Sequence, residues 1–380
     1  MYFDNAATSF PKPEAVYQTM DRFLRTAGAN PGRGGHHIAV EADRTLARAR
    51  AQLAKLLNAP RPESVVWAAN CTDALNLALK GLLQPGDHVV TTGLEHNSVA
   101  RPLRSLERRG VEVTRVPCPG GVFDLPAFLH AIRPETRLVA MVHASNVSGL
   151  VLPVREVGAA CRKRGVRLLV DAAQTAGVLS LDVREIGADM VAMPGHKSLL
   201  GPPGTGALYI AEGVELAPLK EGGTGSVSEQ EEQPDRLPDR YESGTQNTVG
   251  IAGLGAGVEW ILDTGRETIR RREEALVTQL WEGLAETPGV TLHGPPPREG
   301  EERAAVVSLT LEGWEPTDAA LVLDQQFDIQ CRPGLHCAPW AHRSLGTFPN
   351  GTLRLSPGPF NTAEEVDAVV RAVRELCGAS

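Results

Sequence analysis

The feature that most constrains this chain is an alternation. Between about residues 64 and 211, short β-branched apolar runs take turns with helix-patterned stretches. "SVVWAAN", "DHVVTTG", "VEVTRVP", "RLVAMVHAS", "VRLLVDAA", "DMVAM" and "GALYIA" read as strands. Residues 72–83, 98–109, 125–132 and 154–164 read as the helices between them. Such runs, separated by helices and Gly or Pro turns, specify an α/β unit built on a parallel sheet. Its strands are nearly all apolar, so helices must cover both faces.

The rest of the chain reads differently. Residues 222–248 are polar, and too long for a plain connection, so they are expected to be functional or mobile. Residues 251–287 follow as a helical region. The C-terminal part carries strand patterns at "AAVVSLTLEG" and "TLRLSPG" and helix patterns at 317–326 and 362–376. A chain of 380 residues exceeds the size at which one core stops growing, so two domains are expected. The fold class is α/β: a large domain at 15–255, with a mostly parallel sheet sandwiched by helices, and a small α+β domain made of 1–14 and 256–380.

Composition excludes several functions. The net charge of −8, without any basic run, argues against nucleic-acid binding. No apolar run approaches the roughly 18 residues that span a bilayer. "MYFDNAATSFPKP" has neither the charged start nor the apolar run of a signal peptide, so a cytoplasmic protein is expected. Six cysteines in a chain this long form no disulfide framework, and none lies in a C-x-x-C pair, so no metal site is expected.

Chemistry in open α/β sheets gathers beyond the carboxyl ends of the strands. Five successive strand ends here carry polar groups: Asn70, Cys71, Thr72 and Asp73; then Glu95, His96 and Asn97; then Ser145 and Asn146; then Asp171 and Gln174; then His196 and Lys197. A carboxylate, an imidazole and one of only six lysines in the chain thereby share one edge. That set fits pyridoxal phosphate. The lysine would hold the aldehyde as a Schiff base, and the carboxylate would keep the pyridine nitrogen protonated. The phosphate would lie on the helix N-terminus at Thr72, where free N–H groups and the dipole favour an anion.

"DNAAT", "GRGGHH", "EHNS", "SNVSG", "VDAAQ", "GHKSLLGPPGTG", "YESGTQN" and "RPGLHCAP" occur in this order along nearly the whole chain. They resemble the class V aminotransferase superfamily, pyridoxal-phosphate fold type I, and within it the cysteine desulfurase branch of SufS-like enzymes. The resemblance implies that Lys197 is the Schiff-base lysine and Asp171 the partner of the ring nitrogen. It implies that Gln174 bonds the phenolic oxygen, His96 stacks on the ring, and Asn146 and Cys71 border it, Cys71 mainly through packing. Thr72 and His196 resemble phosphate ligands. Thr245 resembles the residue that reaches the phosphate of the other subunit, which implies a homodimer. Arg354 resembles the clamp for the substrate carboxylate, with Arg332, His36, Asn5 and Ala7 around the substrate. Cys337 resembles the nucleophile.

The implied reaction takes sulfur from L-cysteine, leaves L-alanine, and passes the sulfur through a Cys337 persulfide to an acceptor protein. Thiolate is the reactive form, and His336 and Arg332 are expected to favour it. Some positions depart from the pattern: Pro194 replaces a phosphate-binding Ser or Thr, Leu335 a second histidine, Cys71 a Thr or Gly, and Asp73 a Glu. The alternatives are a selenocysteine lyase, an aminotransferase or epimerase on the same scaffold, or a non-catalytic relay or scaffold protein. "GLGAG" at 253–257 opens no helix after a strand, so a nicotinamide dehydrogenase has little support.

Overall fold

A computed structural model describes residues 1–31 and 35–378. Residues 32–34 of the "GRGGHH" motif lie outside them. Two helices come first, α1 (Glu14–Thr26) and α2 (His37–Leu56). The alternation then unfolds as read. The order is β1 (Val65–Ala68), α3 (Cys71–Leu82), β2 (His88–Thr92), α4 (Asn97–Glu107), β3 (Glu112–Val116), α5 (Leu125–His130), β4 (Thr136–Val142) and α6 (Val154–Arg164). β5 (Arg167–Asp171), the short α7 (Val183–Ile186), β6 (Met190–Pro194) and β7 (Gly206–Ile210) complete it.

These strands form one seven-stranded sheet in the order β1-β7-β6-β5-β4-β2-β3. β3, β2, β4, β5 and β6 pair in parallel. β7 departs from the parallel reading: it runs antiparallel to both β6 and β1. The connection between β6 and β7 contains no helix, and only an antiparallel return can be made without a crossover. An apolar run carries no sign of its direction, so the sequence pattern could not reveal this.

Alternate residues of each central strand point to opposite faces. Val90, Val139, Val170 and Val191 join one apolar cluster. Their neighbours Val89, Leu138, Leu169 and Met190 join the other. That two-sided burial is why the runs are continuously apolar.

The helical region read at 251–287 consists of two helices, α8 (Thr248–Thr264) and α9 (Arg266–Ala285), broken at Gly265, whose φ is 86°. α8 packs on α1 and α2. The "GLGAG" run serves this contact, since a Cβ at Gly255 would come within 2.8 Å of Ala49 Cβ and one at Gly253 within 2.7 Å of Met20 Cγ. Ile251, Leu254, Val258 and Ile261 belong to the large-sheet core. Leu276, Leu280 and Leu284 of α9 belong to another core. α8 thus extends the large unit beyond residue 255, where the sequence reading ended it.

The second core lies under a four-stranded antiparallel sheet. It comprises β8 (Val290–His293), β9 (Val307–Leu311), β10 (Arg332–Gly334) and β11 (Thr352–Leu355), ordered β10-β11-β9-β8. α9, α10 (Pro316–Phe327) and α12 (Ala363–Leu376) cover it. α11 (Pro339–Leu345) links β10 to β11. The N-terminus joins this unit: Phe3 is buried in its core, Tyr2 bridges to Gln330 and Asp4 to Ser356.

Candidate active site

A cavity of about 210 Å³ opens at the carboxyl end of the large sheet. The carboxylate in its lining is Asp171, the last residue of β5 and only 2% exposed. Asp171 accepts from the Ala173 backbone N–H at 2.9 Å, and the Cys71 thiol lies 3.6 Å from its Oδ1. Burial pushes the Asp171 carboxyl up, against the pull of that N–H and of nearby Lys197. Burial also pushes the Cys71 thiol well up, so Cys71 is a protonated neighbour.

Lys197 lines the same cavity, three residues beyond β6. Burial is the main cause that pushes its amine down to about 8, helped by Arg354 and Arg332 and opposed by Asp171. A lysine with a neutral fraction near neutral pH can act as nucleophile and base.

His96 follows β2 and caps α4. Its Nδ1 accepts from the Ser98 N–H at 3.1 Å, which puts the ring proton on Nε2. Burial and the neighbouring cations Lys197 and Arg332 push His96 down to about 3. It is a neutral ring on the cavity wall.

One end of the cavity is a helix start. Asn70 caps α3 by accepting from the Asp73 N–H at 2.9 Å. The Cys71 and Thr72 N–H groups at the start of the first turn have no intrahelical acceptor. Thr72 Oγ1 lies 2.7 Å from Ser98 Oγ, and both line the cavity. His196 lines it too, and its buried Nδ1 has no partner. Behind it, Lys12 Nζ donates to the His196 carbonyl at 2.9 Å. Pro194 lines this end and supplies no hydroxyl.

The opposite wall comes from the small unit. Arg354, in the middle of β11 and 1% exposed, donates to Asp4 Oδ1 at 2.7 Å and to the Asn146 carbonyl at 3.2 Å. Its Nε is buried without a partner. Arg332 lines the cavity beside it, paired in register with Arg354 across β10 and β11. Asn146 Nδ2 donates to the His336 carbonyl at 2.8 Å, and Gln174 Nε2 donates to the Ala6 carbonyl at 3.1 Å. Ala6 and Ala7 close the wall between them.

Cys337 is exposed and sits outside the cavity lining, immediately after His336, which lines it. Its Sγ lies 3.7 Å from Arg332 Nη2, and its carbonyl accepts from the Asn97 N–H at 2.7 Å. The expectation that His336 lends charge to this thiol fails. Burial pushes His336 down to about 2, so it is neutral at physiological pH.

Three expected site residues lie elsewhere in the chain. His36 is exposed and caps α2, accepting from the Ala39 N–H at 3.3 Å. Asn5 is turned into structure: its Nδ2 donates to the Ser356 carbonyl and its Oδ1 accepts from the Phe10 N–H. Thr245 lines a separate groove with Asn30, Arg50 and Glu242. The polar stretch that carries it is tied to the body by the Arg50–Glu242 ion pair (2.6 Å) and by Glu242 accepting from the Trp67 N–H. Two residues to which sequence reasoning gave no role belong to the wall or its support, Ser98 and Asp4, and His336, expected only as a neighbour of the thiol, lines the wall itself. Each left a signal in a quoted motif: Ser98 in "EHNS", Asp4 in "DNAAT" and His336 in "RPGLHCAP".

Among the described residues, no three His, Cys, Asp or Glu gather as a metal site, and no helix is long and apolar enough to cross a membrane.

The chain can be set beside known proteins. The family model described as aminotransferase class-V matches residues 1–369. A probable cysteine desulfurase of Methanothermobacter thermautotrophicus is 36% identical, over 100% of this chain and 95% of its own length. The apo structure of a cysteine desulfurase from Thermococcus onnurineus NA1 superposes with a TM-score of 0.93 at 35% identity, covering 100% of this chain and 95% of that one. The Escherichia coli cysteine desulfurase CsdA, solved in an S-sulfonic acid form, gives 0.88 at 29%, covering 98% and 94%. The layered α/β architecture, with its mostly parallel large sheet, is theirs. The chain belongs to the class-V aminotransferase family.

Proposed function

We propose that this protein is a cysteine desulfurase that uses pyridoxal phosphate. One observation carries the reading: Lys197, Asp171, His96 and Arg354 converge on one cavity, with the Cys337 thiol at its rim. An aminotransferase has no need of that thiol.

The cavity's unmet groups fit the cofactor. His196 Nδ1 and the first N–H groups of α3 face one end, ready for phosphate oxygens. A buried carboxyl pushed up by desolvation lies in the same cavity, where a cationic ring nitrogen would offset its cost. When bound, the cofactor supplies an electron sink for charge developing on the substrate's α-carbon.

The chain's own groups do the rest. Lys197 would hold the cofactor's aldehyde through its amine and is placed to move the substrate's α-proton; an amine near 8 suits both tasks. Asp171 would keep the ring nitrogen of a bound cofactor protonated. His96, neutral with its proton on Nε2, would border the cofactor's ring without adding charge. Gln174 and Asn146 are already bonded to Ala6 and His336, so they would present fixed groups to a bound cofactor. Arg354 binds the substrate carboxylate, with Arg332 beside it. Its guanidinium is held rigid by Asp4, and the free Nε leaves a donor to spare.

Cys337 Sγ, as thiolate, attacks the substrate sulfur. The new S–S bond forms as the substrate's C–S bond breaks. That bond's electron pair stays with the substrate carbon, which takes a proton and leaves as alanine. The sulfur remains on Cys337 until a thiol acceptor removes it. Thr245, outside its own protomer's cavity, is assigned to the phosphate of a second copy.

The experiment is direct. Purified protein with L-cysteine and a reductant should release alanine and sulfide in equal amounts, and Cys337→Ala should lose both while keeping the yellow of bound cofactor. A Cys337→Ala protein as active as wild type would overturn the desulfurase reading.

A further inference from the structure

Cys337 is held in an unusual backbone state. It and His336 adopt φ values of 56° and 48°, consecutive left-handed positions that side chains with a Cβ disfavour. Such a pair persists only when its surroundings fix it. Two backbone anchors are already described: Asn97 N–H to the Cys337 carbonyl, and Asn146 to the His336 carbonyl. They hold the carbonyls but not the His336 ring, which is buried and bonded separately to the Arg332 carbonyl and to His342.

The hydrogen bonds of that ring can be assigned one by one. His336 Nε2 lies 3.0 Å from the Arg332 carbonyl, which can only accept, so Nε2 carries the proton. Nδ1 of the same neutral ring is therefore an acceptor. His342 Nε2 lies 3.2 Å from it and must donate. That leaves His342 Nδ1 as acceptor, and Thr347 Oγ1 at 2.7 Å donates to it. All three donors point one way, from Thr347 through His342 and His336 to Arg332. The chain is buried: His336 is 3% and His342 0% exposed. Burial pushes them down to about 2 and about 4, so neither gains the second proton that would set two donors face to face.

The two ends of this chain matter. Arg332 lies on β10, beside the cavity. Thr347 lies in the turn from α11 to β11, where its carbonyl accepts from the Gly351 N–H at 2.7 Å, just before the strand that carries Arg354. The relay therefore ties the thiol's hook to the same frame as the two arginines.

We propose that His342 and Thr347 are positioning residues for sulfur transfer: with His336 they form a one-directional hydrogen-bond relay that fixes the hook presenting Cys337 to the cavity. The proposal rests on the reading of Cys337 as nucleophile. Neither His342 nor Thr347 lines the cavity, and the relay reaches Arg332 only through its backbone carbonyl, so their effect should fall chiefly on the thiol's step.

The test uses holoenzyme and separates that step from the others. Lys197-dependent exchange of the α-hydrogen of L-alanine with deuterated water needs no Cys337. Single-turnover persulfide formation from L-cysteine does. In Thr347→Val, persulfide formation and kcat should fall about tenfold, the loss of one buried hydrogen bond. The KM for cysteine and the alanine exchange rate should stay within about twofold of wild type. Thr347→Ser, which restores the hydroxyl, should recover the rate. If the Val variant unfolds early, Thr347→Ala against Thr347→Ser gives the same contrast. Equal loss of exchange and persulfide formation, or failure of Ser to rescue, would overturn the relay. Normal exchange with no persulfide in wild type would instead overturn the desulfurase reading, and the relay with it.

Discussion

Lys197 and Cys337 serve one cavity from parts of the molecule built in opposite ways. Lys197 follows β6, whose five residues are all buried, and its amine is tuned by desolvation. Its neighbours Asp171, His96 and His196 are tuned by the same cause, each away from its charged form. Cys337 lies in the four-residue gap between β10 and α11, exposed, and its place is set by hydrogen bonds to Asn97, Asn146 and the His342 relay. Groups that need an altered protonation state stand at the ends of buried strands. The group that must meet a second molecule stands outside, where burial cannot hold it and directed bonds must.

Removing Lys197 should break the buried side most severely. Lys197→Ala should lose the borohydride-trapped cofactor peptide, and cysteine turnover should fall by more than about 10³-fold, the scale of losing a general acid–base group. The amine also predicts a pH dependence. Only the neutral form attacks an aldehyde, and burial has lowered the pKa to about 8. Cofactor uptake by apo-protein should therefore speed up as pH rises to about 8 and level off above it. A rise continuing towards pH 10, as for an ordinary lysine, would show that desolvation does not tune this amine.

Cys337→Ala breaks the exposed side. Cysteine turnover should drop at least about a hundredfold, because a positioned nucleophile is lost. Cofactor absorbance and alanine exchange should not change. Loss of the chromophore in this variant would mean that the two sides are not separable as drawn.

Arg354→Lys probes the junction. Arg354 belongs to the small unit's sheet yet is as buried as the strand ends. Lysine keeps the charge but not the planar fork that reaches both Asp4 and a carboxylate. A charge-assisted bond of about 1.5–3 kcal/mol is at stake, so kcat/KM should fall roughly 10- to 100-fold. Most of the change should appear in KM. Unchanged KM would remove Arg354 from substrate binding.

The buried side was legible in the sequence, and the exposed side much less so. Asp171, Gln174, His96 and Lys197 stood out because each ends or follows an apolar run, and strand ends fix where a side chain goes. His36, Asn5 and Thr245 lie in loops, where a polar side chain is claimed by whichever backbone group it can reach. Asn5 went to Ser356 and Phe10, His36 to its own helix. The Asp4–Arg354 pair joins opposite ends of the chain, and nothing local announces it. The relay depends on two left-handed residues folding His336 back onto His342, a conformation with no signature in "GLHCAPWAH". The direction of β7 was hidden for the same kind of reason: its composition matches its parallel neighbours.

Glu273 offers the smallest but sharpest contrast between burial with a purpose and burial without one. It lies on α9, 8% exposed, and lines a void of about 30 Å³ with Gln174, Ser198 and Asn5, just behind the cavity. Burial, with Glu274 adding to it, pushes its carboxyl up to about 8, and no cation counters the shift. The folded state thus holds this proton more tightly than the unfolded chain, whose carboxyl titrates near 4.5. Its contribution to stability is complete below about pH 4.5 and is lost as pH rises to about 8. Glu273→Gln removes that slope. In urea unfolding, the variant and wild type should be close at pH 5, and the variant should be more stable by roughly 1–3 kcal/mol at pH 8, less than full linkage gives because a buried site relaxes when it ionises. Glu95 is pushed up in the same direction, but it is present in both proteins and cancels in the difference. Turnover of cysteine should be unchanged, since nothing in the sulfur chemistry uses Glu273. A stability gap that does not widen with pH would mean that this carboxyl is solvated or paired, and a fall in turnover would move it from the frame into the site.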